Sequence, residues 1–172
     1  MNAPWPFTSP SAHTPSALGE VNGPGAFTHT AWNDYEIVAA NLFDGESRKV
    51  TDRIPTYALF TDPPLGRAGM SEAEARGSGR AFLKATLPFE RITRARALGE
   101  THGFMKVLVD AATHEIAGAA VLGAEGDEVV QVLLSAMYAK VPVSALQRVV
   151  HIHPTVAEYI PTLLDGLEPL PM

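Results

Sequence analysis

Histidine is the side chain whose ordinary pKa lies nearest neutrality, which suits it to carrying protons. Two histidines stand close together near the end of this 172-residue chain, in the run His151-Ile152-His153-Pro154-Thr155-Val156-Ala157-Glu158. A carboxylate beside an imidazole can fix its tautomer and raise its basicity. Glu158 is placed for that: a helix is expected over 155–164, Glu158 falls on its first turn, and Pro154 can fold His153 back over that end. Three other readings use the same residues. Thr155-x-x-Glu158 is also a capping box, in which the glutamate only satisfies a backbone N–H. His151 and His153 share one side of an extended segment and could bind a metal, although a usual site needs a third ligand. Either imidazole could be an ordinary core or surface side chain. Residue types alone leave all four open.

Other candidates carry less. Gly19-Glu20 sits in a glycine-rich loop, where a carboxylate could meet a ligand hydroxyl or simply face water. Arg91, Arg94 and Arg96 form a small basic cluster that could meet a phosphate, though exposed charge is the plainer reading. No G-x-G-x-x-G follows an expected strand, so there is no nucleotide fingerprint. No Ser-His-Asp arrangement stands out. The chain has no cysteine, which excludes disulfides, thiolate-bound zinc and a thiol nucleophile of its own.

These residues need elements to position them. Residues 1–16, rich in Pro, Ser and Thr, read as an unstructured leader. Glycines, proline and asparagine over 17–25 mark a loop. Apolar residues at spacings of three and four predict a helix over 30–44, stopped by Gly45. The charged stretch 46–55 is the best boundary between two structural units. Strands are expected over 56–60 and 81–89, with a hairpin of 103–110 and 115–123 about a polar turn. Ser71 and Glu74 have capping-box spacing before a short helix over 71–76. The clearest helix is 127–139, with acidic residues at its start, where the helix dipole favours them. Further helices are expected over 143–149 and 155–164. Pro161 in the last removes an internal hydrogen bond, so that helix starts later or bends. Strands followed by helices predict an α+β two-layer sandwich, an antiparallel sheet with helices packed on one face.

Composition bounds the function. Lys and Arg number 13 against 19 Asp and Glu, a formal charge of −6, which argues against a nucleic-acid partner. Hydrophobic residues make up 46%, enough for one core. No run approaches the ~20 apolar residues of a membrane span. No signal-peptide pattern opens the sequence. A soluble cytoplasmic protein, without membrane or nucleic acid among its partners, is the expectation.

From residue 17 onward the chain resembles the C-terminal part of the flavin-dependent pyridine nucleotide–disulfide oxidoreductases. That family includes dihydrolipoamide dehydrogenase, glutathione reductase and mercuric reductase. The resemblance rests on ALGEVNG (17–23), AFTHTAWND (26–34), FTDPPLGRAGMSEAEAR (60–76), ITRARALGETHGFMKVLVD (92–110), IAGAAVLGAEGDEVVQ (116–131) and HIHPTVAE (151–158). The segment 92–110 looks most like the mercuric-reductase-like branch. The chain carries H-P-T and lacks that enzyme's C-terminal cysteines, which argues against mercury reduction.

The resemblance implies a division of the chain into a remnant of the FAD domain over 17–50 and a dimerisation domain over 54–172. It implies that Gly19 and Glu20 belong to the loop that contacts the ribityl chain of FAD, with Glu20 where the family has Asp. It implies a homodimer in which His153, paired with Glu158, reaches the redox thiol of the partner chain as acid–base. FAD and NAD(P) belong to the intact enzymes. The FAD fingerprint, the redox C-x-x-x-x-C and the NAD(P) domain are absent from these 172 residues. The resemblance therefore implies a fragment that binds no cofactor tightly alone and works with a chain carrying those domains. The alternative is a non-catalytic homodimerisation module, a truncated relic.

Overall fold

The computed structural model describes residues 27–171. The expected leader over 1–16 and the loop with Gly19 and Glu20 lie outside them. The chain divides into two units, Met1–Arg53 and Ile54–Met172.

In the first unit a helix, α1, spans Thr28–Phe43. Thr30 closes its start: its hydroxyl accepts the Phe27 N–H at 3.1 Å and donates to the Phe27 carbonyl at 2.7 Å. Asn41 ties down the chain beyond Gly45, accepting the Arg48 N–H at 2.8 Å and donating to its carbonyl at 2.9 Å. Asp34 is buried and is paired with Arg53, which also donates to Asn33 at 2.9 Å. A buried carboxylate without such a cation would be strongly destabilising.

The second unit is built on a sheet of β1 (Thr56–Leu59), β2 (Leu65–Gly69), β3 (Phe82–Pro88), β4 (Phe104–Asp110), β5 (Ile116–Leu122) and β6 (Glu168–Pro169). Their order is β1-β2-β5-β4-β3-β6, and every neighbouring pair is antiparallel. Period-two alternation sorts the side chains. Ala68, Ala85, Leu87, Met105, Val107, Val109, Ala119 and Val121 enter the main core. That face is covered by α4 (Gly126–Tyr138) and α6 (Ile160–Asp165), with α3 (Thr93–Leu98) and α5 (Val143–Leu146) completing the layer. Leu87, Ile92, Met105, Leu133, Ile160 and Leu163 are almost wholly buried there, each contributing roughly 1.5–3 kcal/mol by transfer from water. On the other face a short helix, α2 (Glu72–Gly77), sets Ala75 against Phe82, Leu108 and Leu170. The α+β sandwich predicted from the sequence is the fold observed.

Some elements differ from expectation. The segment 65–69 forms β2 although Leu-Gly-Arg-Ala-Gly contains no β-branched residue. Two flanking strands supply its hydrogen bonds, so pairing overrides propensity. A β-carbon at Gly66 would lie 2.5 Å from the Gly126 carbonyl oxygen and 2.5 Å from Val130 Cγ1. Glycine here is what lets α4 lie against β2. Helix α3 and strand β6 were not expected. The first strand stops at Leu59 and α5 stops at Leu146. The expected helix over 155–164 is a 3-10 turn, Ala157–Tyr159, leading into α6. Pro161 sits at the start of α6, where its missing N–H would have had no helical partner anyway.

Candidate functional site

The run 151–158 leaves α5 and enters the turn before α6. Its C-terminal end is held and its middle is exposed. Val156 is 3% exposed and Ile160 is fully buried, both within the main core. Val150 and Ile152 are 96% and 80% exposed. The His153–Pro154 peptide bond is cis.

Thr155 organises the bend. Its hydroxyl donates to the Ile152 carbonyl at 2.7 Å and accepts the Glu158 N–H at 3.2 Å. The first half of the capping box is therefore made. The second half is replaced: the Glu158 carboxylate takes the His153 Nδ1–H, with Oε2 at 2.9 Å and Oε1 at 3.1 Å. The His153 side chain is 70% exposed and that of Glu158 only 16%. A shielded carboxylate thus holds an imidazole that faces outward. With Nδ1 occupied, the proton sits on Nδ1 in the neutral ring and the Nε2 lone pair is left for an external donor. Among the described residues Nε2 makes no hydrogen bond.

The next residue pins the turn. Tyr159 packs its ring against the main core. Its hydroxyl accepts the Thr93 N–H at 3.1 Å and shares a hydrogen with Thr93 Oγ1 at 2.6 Å. Sequence reasoning missed this contact, because the two residues are 66 positions apart and a tyrosine after a glutamate carries no signal.

The other candidates separate from this site. His151 is half-buried, and its Nε2 is shielded from solvent without a hydrogen-bond partner. No group of three or more His, Asp or Glu among the described residues is placed to hold a metal ion. Arg91, Arg94 and Arg96 are exposed. Gly19 and Glu20 lie outside the described residues.

A second charged constellation sits on the opposite sheet face. Glu72 receives Arg76 at 2.8 Å and Lys106 at 3.2 Å, with Lys84 at 3.6 Å. The hydrogen bonds from Arg76 and then Lys106 hold its carboxyl down at about 2. Glu72 and Lys106 border a groove of about 220 Å³ lined also by Leu65, Arg67 and Phe104.

Residues 55–164 match the family described as pyridine nucleotide-disulphide oxidoreductase, dimerisation domain. The chain belongs to the pyridine nucleotide-disulphide oxidoreductase family. The Escherichia coli pyridine nucleotide-disulfide oxidoreductase RclA is 37% identical over 152 residues, covering 87% of this chain and 34% of that protein. Dihydrolipoyl dehydrogenase of Mycobacterium tuberculosis is 30% identical over 152 residues, covering 88% and 33%. Among solved structures, the HOCl-induced flavoprotein disulfide reductase RclA from Escherichia coli superposes with a TM-score of 0.81 at 35% identity. That match covers 86% of this chain and 34% of the other. LpdA from Mycobacterium tuberculosis, at 19% identity and a TM-score of 0.76, shares the fold. The chain spans about a third of the length of the curated relatives it matches.

Neither the groove beside Glu72 nor a second of about 230 Å³ beside Arg80 and Asp110 is lined by His153 or Glu158. No helix among the described residues is long and apolar enough to cross a membrane.

Proposed function

We propose that this chain is the dimerisation and acid–base part of a flavin-dependent disulfide oxidoreductase, with His153 serving a redox thiol on another polypeptide. One observation carries the reading: a largely solvated imidazole is held at Nδ1 by both oxygens of a largely shielded carboxylate. A ring needed only for packing would not be aimed outward. In this role Nε2 takes the thiol proton, which leaves a thiolate and an imidazolium. The thiolate is the reactive nucleophile, and Glu158 stabilises the positive ring beside it. The reverse transfer returns the proton when the thiol is re-formed.

Delivery to another chain requires association. Val149, Val150 and Ile152 flank the histidine and are 45%, 96% and 80% exposed, the kind of apolar surface that marks a protein contact. The proposed assembly is a homodimer. FAD and NAD(P) would reside on domains outside this chain, and the setting is the cytoplasm, where a reducing milieu keeps a dithiol cycling.

Size-exclusion chromatography with light scattering at micromolar concentration should give a dimer; a strict monomer would count against the reading. The isolated chain should neither retain FAD nor oxidise NAD(P)H. Mixed with a polypeptide carrying the flavin, nucleotide and dithiol parts, it should restore turnover. His153→Ala should then lower that turnover by about 10²–10⁴-fold, the range for a lost general acid–base. Full activity in that variant would leave the non-catalytic homodimerisation module as the better reading.

A further inference from the structure

The 3-10 turn Ala157–Tyr159 is closed by two backbone hydrogen bonds, Tyr159 N–H to the Val156 carbonyl at 3.2 Å and Ile160 N–H to the Ala157 carbonyl. So short a turn stabilises itself poorly. Yet Glu158, in its middle, must keep both carboxylate oxygens on His153 while the ring stands in solvent. Something outside the turn has to fix it. Buried Val156 fixes the near end. At the far end Tyr159 is tied by its hydroxyl to the backbone N–H and side chain of Thr93, the first residue of α3. Helix α3 is itself rooted in the core through Ala95 and the preceding Ile92, both fully buried.

We infer that Tyr159 and Thr93 are positioning residues, whose hydrogen bond sets the carboxylate of Glu158 against Nδ1 of His153 and thereby dictates which ring nitrogen faces outward. The inference rests on the pairing proposed above and names what enforces it. Neither residue touches the imidazole. Both act through the turn, so their loss loosens the carboxylate without removing a partner of His153. An ordinary core tyrosine would instead contribute stability alone.

The test reads the tautomer of His153 in the full chain by long-range ¹H–¹⁵N NMR at a pH where the ring is neutral. The native chain should hold the proton on Nδ1. Tyr159→Phe keeps the ring and deletes the hydroxyl; it should lower the Nδ1–H population about twofold in favour of Nε2–H, because the bond that holds the proton on Nδ1 weakens. Thr93→Val, which deletes only the Oγ1 contact, should move it in the same direction by less and supplies the readout should Tyr159→Phe fail to fold. Glu158→Ala, which removes the acceptor altogether, sets the full effect. An unchanged tautomer in both Tyr159→Phe and Thr93→Val, with Glu158→Ala still shifting it, would overturn the inference and leave the pairing standing. A native ring already protonated on Nε2 and indifferent to Glu158→Ala would overturn both.

Discussion

The chain uses one short motif twice and obtains two different results. Ser71-x-x-Glu74 closes as a full capping box before α2. The Ser71 N–H and hydroxyl both donate to Glu74 Oε2 at 2.7 Å, and the Glu74 N–H returns to Ser71 Oγ at 3.2 Å. Thr155-x-x-Glu158 closes only halfway. The Thr155 hydroxyl accepts the Glu158 N–H but spends its own hydrogen on the Ile152 carbonyl, so the carboxylate goes to His153 instead. The two glutamates have the same local spacing. What separates them is a competing donor two residues before the cap and a hydroxyl already committed elsewhere. A capping-box pattern therefore locates a bend without saying where its carboxylate points.

The two motifs also stand on unequal supports, which gives the largest expected effect. The turn bearing Glu158 runs into Ile160, Leu163 and Leu164, all buried, whereas α2 buries only Ala75. Ile160→Ala should cost about 2–5 kcal/mol, and Ala75→Gly about 1 kcal/mol, as read by urea unfolding. Equal costs would erase the distinction.

Glutamate-to-glutamine exchange separates the motifs by chemistry. In a reconstituted pair, Glu158→Gln should lower turnover on the order of 10²-fold, and Glu74→Gln should leave turnover unchanged. Parallel losses would show that both carboxylates act through stability. Ser71→Ala, assayed by thermal unfolding, should cost about 1 kcal/mol as an ordinary lost cap, with no change in the His153 tautomer. Thr155→Ala should change both.

The smallest effect is in acid. The Ser71 backbone N–H, then its hydroxyl, hold the Glu74 carboxyl below its ordinary value. Glu72 is lowered from 4.5 to about 2 by Arg76 and then Lys106. A carboxyl with a depressed folded pKa adds stability that is complete above its unfolded value and is lost as pH falls through the folded one. The protein should therefore lose stability between pH 4.5 and about 2. Glu72→Gln should flatten that fall by less than about 1 kcal/mol, given the exposure of the cluster, as measured by denaturant midpoints across pH. An unchanged slope would place the charges of Glu72 in solvent.

The fold was legible where periodicity and turn chemistry agreed. The hairpin of β4 and β5, the strand β3 and the helix α4 fall within a residue or two of their expected bounds, because alternation, polar turns and an acidic helix start point the same way. Strand β2 was not legible. Its glycines serve contacts with α4 and with neighbouring backbone that only the assembled sheet creates. Helix α3 was hidden in a short arginine-rich stretch whose apolar members are only Ile92, Ala95, Ala97 and Leu98. At the site, residue types suggested that His153 and Glu158 could meet. They left open whether Glu158 would cap the backbone or orient the ring, because the commitment of the Thr155 hydroxyl is a matter of three-dimensional placement.

The sheet ends in two short strands, and this shapes how copies can meet. At one rim β1 has four residues, with Pro55 just before it and Pro63-Pro64 soon after. At the other, β6 has two residues, one of them Pro169. Proline offers no N–H to a new ladder, and brief rims give an incoming strand little to align on. Continuous growth of the ladder from molecule to molecule is blunted on both sides. Association is steered to side-chain surfaces that can saturate at a finite number of subunits, rather than to backbone stacking that never closes.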